Sequence, residues 1–241
     1  MRPASQEGPG DAAAGAVFAA AVADLHAGRD AERPLRPQVT FEDVPAPRKL
    51  APHAAAIAAT VRAGVGEEQP DVAWGRLVLL YDPDGQEGWA GQFRVIAYIR
   101  AEVEPEVAAD PLLGEVGWSW LTEALDAHAA GYAAPSGTVT RVVTEGFGGK
   151  QDEPQANGLE LRASWSPAPQ PARAGGSARA RGPGGPAGPA GPAASAGGLA
   201  PSPTPPALAG HVAAWCDALC AAAGLPPAAA GVSALPRPRR P

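Results

Sequence analysis

The chain has few of the residues that usually fill a core or carry out chemistry. Among its 241 residues, aromatic side chains make up 5%, and there are 2 cysteines and 1 methionine. Two cysteines cannot make a disulfide framework, and no run of about 18 apolar residues is available to cross a membrane. Hydrophobic residues reach 45% largely through alanine, which buries little area. The sequence therefore predicts one domain with appendages, whose core depends on a few large side chains.

Acidic and basic residues are unevenly distributed. Residues 1–166 hold 13 Lys+Arg and 24 Asp+Glu, a balance of −11, whereas residues 167–241 hold 6 Arg and 1 Asp, a balance of +5. An acidic body disfavours contact with phosphates, and the basic end "LPRPRRP" is short and broken by proline, so we expect no nucleic-acid partner. The alanine-rich N-terminal stretch carries Glu7 and Asp11 where a signal peptide would be cationic. We therefore expect a cytoplasmic protein without a membrane partner.

The periodicity of the apolar residues predicts helices and two hairpins. A helix is expected from Asp11 to about His26, then a short strand around Phe41, then a second helix in "RKLAPHAAAIAATVRAG". The run "LVLL" and the alternating "FRVIAYIR" predict a first hairpin around the turn at residues 82–85. "SGTVTRVVTEGFGGK" and "LELRASW" predict a second hairpin.

Two tryptophans stand close together on a predicted helix in "DPLLGEVGWSWLTEALDAH". Asp110 before Pro111 is typical of a helix start. Trp118 and Trp120 lie about 200° apart on the helical wheel, so they cannot fill the same pocket. We expect Trp118 to pack against a last helix in "ALAGHVAAWCDALCAAAGL", on the face that carries Trp215.

These elements predict an α+β domain with a mostly antiparallel five-stranded sheet and helices packed mainly on one face. The domain is expected over residues 11–166, after a disordered N-terminus over 1–10. Residues 167–206 contain no aromatic and no β-branched apolar residue, which predicts a disordered Ala/Gly/Pro linker. A C-terminal helix over 207–225 is expected to dock back on the domain, followed by a disordered basic tail over 226–241.

Motifs for metal, nucleophilic or phosphate chemistry are weak in this chain. Cys216 and Cys220 are spaced to share one helical face, but a zinc site would need two more ligands, so we interpret them as small packing residues. No G-x-S-x-G motif occurs. "EGFGGKQ" lacks the spacing of a phosphate loop and is interpreted as a hairpin loop. The sequence thus indicates no metal, no cofactor and no recognisable catalytic residue.

Four arginines form the best candidate site. Arg94, Arg100, Arg141 and Arg162 each stand within a predicted strand, away from its ends. If their side chains share a face, they make a basic row suited to a carboxylate or phosphate. The alternative is cross-strand pairing with Glu102 and Glu160.

Six runs of the chain form an ordered set: "GRLVLLYDP", "GWAGQFRVIAYIRAEVEPEVAADPLL", "VGWSWLTEAL", "SGTVTR", "ELRASW" and "HVAAWCDAL". In these runs the chain resembles the actinobacterial family known as domain of unknown function 3000, over about residues 14–165 and 208–225. The resemblance implies a cytoplasmic bacterial protein in which the Pro/Gly-rich linker is an insertion. The family has no established activity, ligand or catalytic residue to transfer.

Two functions follow as hypotheses. The first is a non-enzymatic binding or adaptor module that engages a protein or peptide through its sheet or an apolar patch, because no catalytic constellation is recognisable. The second is an enzyme or a small-anion sensor that uses the strand arginines. Arginines that converge on a concave pocket would favour the second, and arginines that are spread out and paired with glutamates would favour the first.

Overall fold

Over the residues that the structure describes, the chain forms four α-helices and one six-stranded antiparallel sheet. The computed structural model describes residues 9–66, 68–152, 155–168 and 204–226. The elements are α1 (Pro9–Glu32), β1 (Val39–Asp43), β2 (His53–Arg62), β3 (Asp71–Tyr81), β4 (Phe93–Glu102), α2 (Pro105–Ala109), α3 (Leu113–Ala127), β5 (Tyr132–Thr144), β6 (Ala156–Pro167) and α4 (Ala209–Ala222). The strands lie in the order β1-β2-β3-β4-β6-β5. The α+β class and both predicted hairpins are confirmed, since β3 pairs with β4 and β5 with β6.

The prediction of a helix at residues 48–64 is wrong, because residues 53–62 form strand β2. The sheet therefore has six strands, where the sequence predicted five. Alanine is a good helix former and is uncommon in strands. Here β2 pairs with β1 on one side and β3 on the other, and Ile57, Ala59 and Val61 are buried beneath the helices. Pairing on two sides and burial outweigh the local preference.

Helices α1, α3 and α4 cover one face of the sheet and enclose the main core. Alternate strand residues point into it, including Leu77, Leu79, Ile99, Leu159 and Leu161. Trp165 and Trp215 are the largest fully buried side chains. Because aromatic side chains are few, these two indoles supply much of the volume that holds the sheet and α4 together.

Two glycines let α4 approach closely. A Cβ at Gly75 of β3 would lie 2.9 Å from Trp215 Cζ2, and a Cβ at Gly28 of α1 would lie 2.8 Å from Ala209 Cα. Both distances are shorter than real Cβ contacts, so a side chain at either position would push α4 away. Gly28 was expected just after the end of α1, but the helix continues through it to Glu32.

Polar contacts join α4 to α1, to the loop between α1 and β1, and to the residue that follows α3. Asp24 of α1 accepts hydrogen bonds from the backbone N–H groups of Leu208 and Ala209, which places a carboxylate at the positive end of the α4 dipole. Asp217 pairs with Arg36, and it also lies 2.8 Å from His128 Nε2. Such contacts fix the helix in orientation as well as in position.

The two neighbouring tryptophans of α3 contact different elements. A Cβ at Gly137 would lie 2.5 Å from Trp118 Cζ3, so this ring lies over the bare backbone of edge strand β5. Trp120 lines a cavity of about 800 Å³ together with Ala221 and Ala222 of α4. The contact shown for Trp118, which was expected to pack against the last helix, is therefore with β5, and Trp120 lies beside α4.

Most of the segments expected to be disordered lie outside the described residues, namely 1–8, 169–203 and 227–241. At the described ends of the predicted linker, Pro167 pairs with Tyr132 and Pro206 is buried. Among the described residues, no helix has both the length and the apolar composition needed to cross a membrane.

Candidate functional site

The face of the sheet opposite the helices carries the candidate site. We call it the open face, and over β3, β4 and β6 it presents the side chains of Trp74, Arg76, Val78, Leu80, Arg94, Ile96, Tyr98, Arg100, Glu160, Arg162 and Ser164. These residues alternate with those that enter the core, as the pleat of a strand requires. A small cluster centred on Ala56, Val78 and Leu80 forms at the middle of this face, with Trp89 packed against it.

An apolar groove of about 480 Å³ crosses the middle of the open face. Its floor is formed by Val78, Ile96 and Tyr98, and the segment at residues 45–50 forms its wall. Leu50, on this wall, is 48% exposed. Arg76 lies at the edge of the groove and donates a hydrogen bond to the backbone oxygen of Pro45, so it holds the wall in place.

One end of the open face carries a cluster of aromatic and charged side chains, which we call the arginine–aromatic cluster: Trp74, Tyr98, Arg100, Glu160 and Arg162. The rings of Trp74 and Tyr98 pack edge to face, with 5.4 Å between their centres. Arg162 Cζ lies 5.6 Å from the centre of the Tyr98 ring. Glu160 Oε2 accepts from Arg162 Nη2 at 3.3 Å, and Glu160 Oε1 lies 4.0 Å from Arg100 Nη1. Burial and the charge of Glu160 raise the pKa of Tyr98.

The other end of the open face holds Arg94, which is 8% exposed. Its Nη1 donates to Ala134 O at 3.0 Å and to Ser166 Oγ at 3.4 Å. Its Nη2 donates to Ser164 Oγ at 2.7 Å, and also to Ser164 O and Ser136 Oγ, each at 3.3 Å. All these acceptors are neutral, and burial lowers the pKa of the guanidinium.

A second cavity of about 390 Å³ lies over Arg94, and we call it the Arg94 pocket. Its apolar walls are Leu50, Leu80, Trp89 and Ile96, and its polar lining comprises Gln86, Glu87, Arg94 and Ser164, with the backbone of Gly88 between. The pocket adjoins the apolar groove, because Leu50 and Ile96 line both cavities.

The structure places three of the four arginines predicted from the sequence on one face, at its two ends. Arg94, Arg100 and Arg162 lie on the open face. Arg141 stands opposite Leu159, whose side chain is in the core, so Arg141 lies on the helix-covered side of the edge strand. Its Nη1 donates to Asp110 O at 3.2 Å. The cross-strand pairing considered as the alternative is present between Arg100 of β4 and Glu160 of β6. Arg162 also contacts Glu160, but from two positions further along the same strand.

Sequence reasoning missed Arg76 and the wall at residues 45–50. The run "LVLL" is continuously apolar, so it does not by itself show which residues of β3 share a face. Continuing the alternation of β3 back from Leu80 through Val78 to Arg76 and Trp74 would have placed both on one face. The wall could not be found this way, because a proline-rich segment has no periodicity that reports where it packs.

The two cysteines considered as metal ligands, and a buried histidine near them, are packed inside the protein. Cys216 and Cys220 are free and buried within the core, and the contact with Cys220 together with burial raises the pKa of Cys216. His211 is buried and accepts a hydrogen bond on Nδ1 from Trp165 Nε1 at 3.0 Å. Over the part of the chain that the structure describes, no group of three or more His, Cys, Asp or Glu side chains is placed to hold a metal ion.

Fold and site together define an α+β domain that covers one sheet face with helices and presents a partly apolar, arginine-bearing surface on the other. The family described as Protein of unknown function (DUF3000) matches residues 14–233, and the chain belongs to that family. No curated protein and no solved structure matches the chain.

Proposed function

We propose that this chain is a non-enzymatic binding module whose open face takes an extended, acidic segment of a partner protein. The observation that carries the proposal is the apolar groove on the open face, with Arg94 at one end and Arg100 and Arg162 at the other. Apolar surface supplies affinity, while charged groups around it fix orientation and select the partner.

The dimensions of the face suit an extended segment. Arg94 and Arg100 lie six positions apart on β4, which corresponds to roughly 20 Å at ~3.3 Å per residue. The apolar groove, with Ile96 and Tyr98 on its floor, occupies the space between them. A segment of similar length could place one or two apolar side chains in the groove and its carboxylates at either end.

The positive charge of the open face favours an acidic partner. Within positions 74–80, 94–100 and 160–164, the outward residues include four arginines and one glutamate, although the whole chain has a net charge of −6. Arg100 and Arg162 share the single carboxylate of Glu160. Each guanidinium has five N–H donors, so both retain donors for carboxylates of a partner.

The spacing of the arginines argues against a small common substrate. An enzyme or small-anion sensor that used the strand arginines together would need them to converge on one ligand. The arginine–aromatic cluster and Arg94 instead lie at opposite ends of the face, with the groove between them. This separation favours a long ligand over a small one.

Selection from a random peptide display library tests the proposal. The purified full-length chain should enrich peptides in which Asp or Glu flanks a large apolar residue, and binding should weaken as salt concentration rises. For a selected peptide, the double substitution Arg100→Ala/Arg162→Ala should raise Kd by about tenfold or more, as expected for charge-assisted hydrogen bonds.

Arg141→Ala is the control, because it removes an exposed arginine from the helix-covered side of edge strand β5, away from the open face. It should leave Kd within about twofold of the unsubstituted chain, since distant exposed sites act nearly independently. Enrichment of basic or purely apolar peptides, or equal weakening by Arg141→Ala, would contradict an acidic segment on the open face.

A further inference from the structure

The Arg94 pocket contains a buried positive charge without a negative partner. Arg94 is 8% exposed, and its two Nη atoms donate hydrogen bonds to two backbone oxygens and three serine hydroxyls. None of the described carboxylates pairs with it, and Glu87, which lines the same pocket, is exposed. Neutral acceptors satisfy N–H groups but do not balance a charge taken out of water.

The rest of the pocket is suited to an organic group. Leu50, Leu80, Trp89 and Ile96 line it, and about 390 Å³ is at the small end of the range for ligand cavities. Gln86 and Ser164 add neutral hydrogen-bonding groups at its surface. No hydrogen bond from Arg94 Nε to a described acceptor occurs, so this donor is available to a ligand.

We propose that the Arg94 pocket binds the carboxylate of a molecule with a short apolar or aromatic group, the carboxylate pairing with Arg94 and the apolar group packing against Trp89, Leu80 and Ile96. A monoanion balances the single charge of Arg94, whereas a phosphate dianion would bring a surplus charge among apolar walls. The site rests on its own geometry and holds whether or not a partner segment lies along the rest of the open face.

The carboxylate could belong to a free small acid or to the C-terminus of a peptide, because the pocket opens to the groove at Leu50 and Ile96. Titrations of the full-length chain with 3-phenylpropionate and with 3-phenylpropanamide separate the charge from the apolar contact. A peptide that ends in phenylalanine, compared with the same peptide amidated at its C-terminus, tests the second source. Binding by either acid and not by its amide supports the site and identifies the source.

NMR of the ¹⁵N-labelled chain gives a local readout. The Arg94 Nε–Hε resonance, assigned by its loss in Arg94→Gln, should shift on addition of the acid and not of the amide. Arg94→Gln should raise Kd about 10- to 100-fold, as expected for loss of a charge-assisted pair. Arg141→Gln, on the other side of the sheet, should leave Kd unchanged.

Ser164→Asp keeps the test decisive if Arg94→Gln does not fold. Ser164 Oγ already lies 2.7 Å from Arg94 Nη2, so aspartate there would supply the missing carboxylate from within the chain. This variant should raise the thermal midpoint and abolish binding of the acid. Equal binding of acid and amide, retention of binding in Ser164→Asp, or failure of both acids to shift the Arg94 resonance would overturn the proposal. None of these results depends on a peptide bound in the apolar groove. They can therefore refute the Arg94 pocket as a carboxylate site without refuting the proposed binding of an acidic segment.

Discussion

The two faces of the sheet are formed by the same strands and have opposite properties. The helix-covered face buries Leu77, Leu79 and Ile99 in the same core as Trp215 of α4. On the open face the intervening positions include Arg76 and Tyr98, and the apolar cluster there is small. One side of each strand therefore supplies stability and the other is available for binding. The comparison predicts that equivalent substitutions on the two faces differ widely in their effects.

The largest difference is expected between two tryptophans. Trp215 is fully buried, whereas Trp74 is 38% exposed on the open face. Trp215→Ala should lower the free energy of unfolding by about 3–5 kcal/mol, because it leaves a large cavity. Trp74→Ala should lower it by about 1 kcal/mol or less. Urea denaturation of both variants measures the difference, and equal losses would show that the two faces contribute alike to stability.

The buried histidine of the helix-covered face predicts a loss of stability in acid. Burial lowers the pKa of His211 from 6.5 to about 4. Because the unfolded chain binds this proton more readily than the folded chain, protonation of His211 favours unfolding. The contribution of neutral His211 to the free energy of unfolding is therefore complete above pH 6.5 and is lost as pH falls towards 4. The loss should reach roughly 3 kcal/mol.

Urea denaturation at a series of pH values measures this loss, and His211→Gln is its control. Glutamine can accept the hydrogen bond from Trp165 but does not titrate in this range. The variant should therefore be less sensitive to pH between 6.5 and 4. An unchanged pH dependence in the variant would assign the acid sensitivity to other groups.

The smallest predicted difference is between two glycines. A Cβ at Gly75 would lie 2.9 Å from Trp215 Cζ2 and 3.1 Å from Tyr98 O, so Gly75→Ala should destabilise the chain by about 1–3 kcal/mol. Gly114, in the first turn of α3, has no atom within 4 Å of its Cβ position. Gly114→Ala should stabilise by up to about 1 kcal/mol, because alanine loses less backbone entropy. Thermal denaturation of both variants shows whether each substitution lowers or raises the stability. A Gly75→Ala variant that is more stable than the unsubstituted chain would contradict the close approach of α4.

Much of the fold could be predicted where residues alternate regularly. Alternation from Phe93 to Arg100 puts Arg94 and Arg100 on the strand face opposite Val95 and Ile99, and the structure has them there. The same alternation in "LELRASW" separates Leu159 and Leu161 from Glu160 and Arg162, and in the structure the two leucines lie in the core. Alternation is a property of each strand alone, so it can be read without knowing the strand's neighbours.

The candidate site was only partly predictable, because it depends on which residues of different strands share a face, and that depends on how the strands pair. Arg141 and Arg162 were both assigned to strands, yet the register places Arg141 opposite Leu159 and Arg162 opposite Thr138. A shift of one residue in pairing would exchange the two faces. The burial of Arg94 depends in the same way on Ser136 and Ala134, which reach it from the edge strand.

The amino-acid sequence by itself determined the hairpins, the α+β class and the two-sided character of the strands, since turn residues and alternation act over a few positions. Tertiary structure alone decided that the alanine-rich segment from His53 to Arg62 is a strand, that Arg141 leaves the open face, and that Arg94 is buried without a carboxylate. Each of these depends on contacts between residues distant in the chain. Their free energies exceed local preferences that differ by less than about 1 kcal/mol per residue.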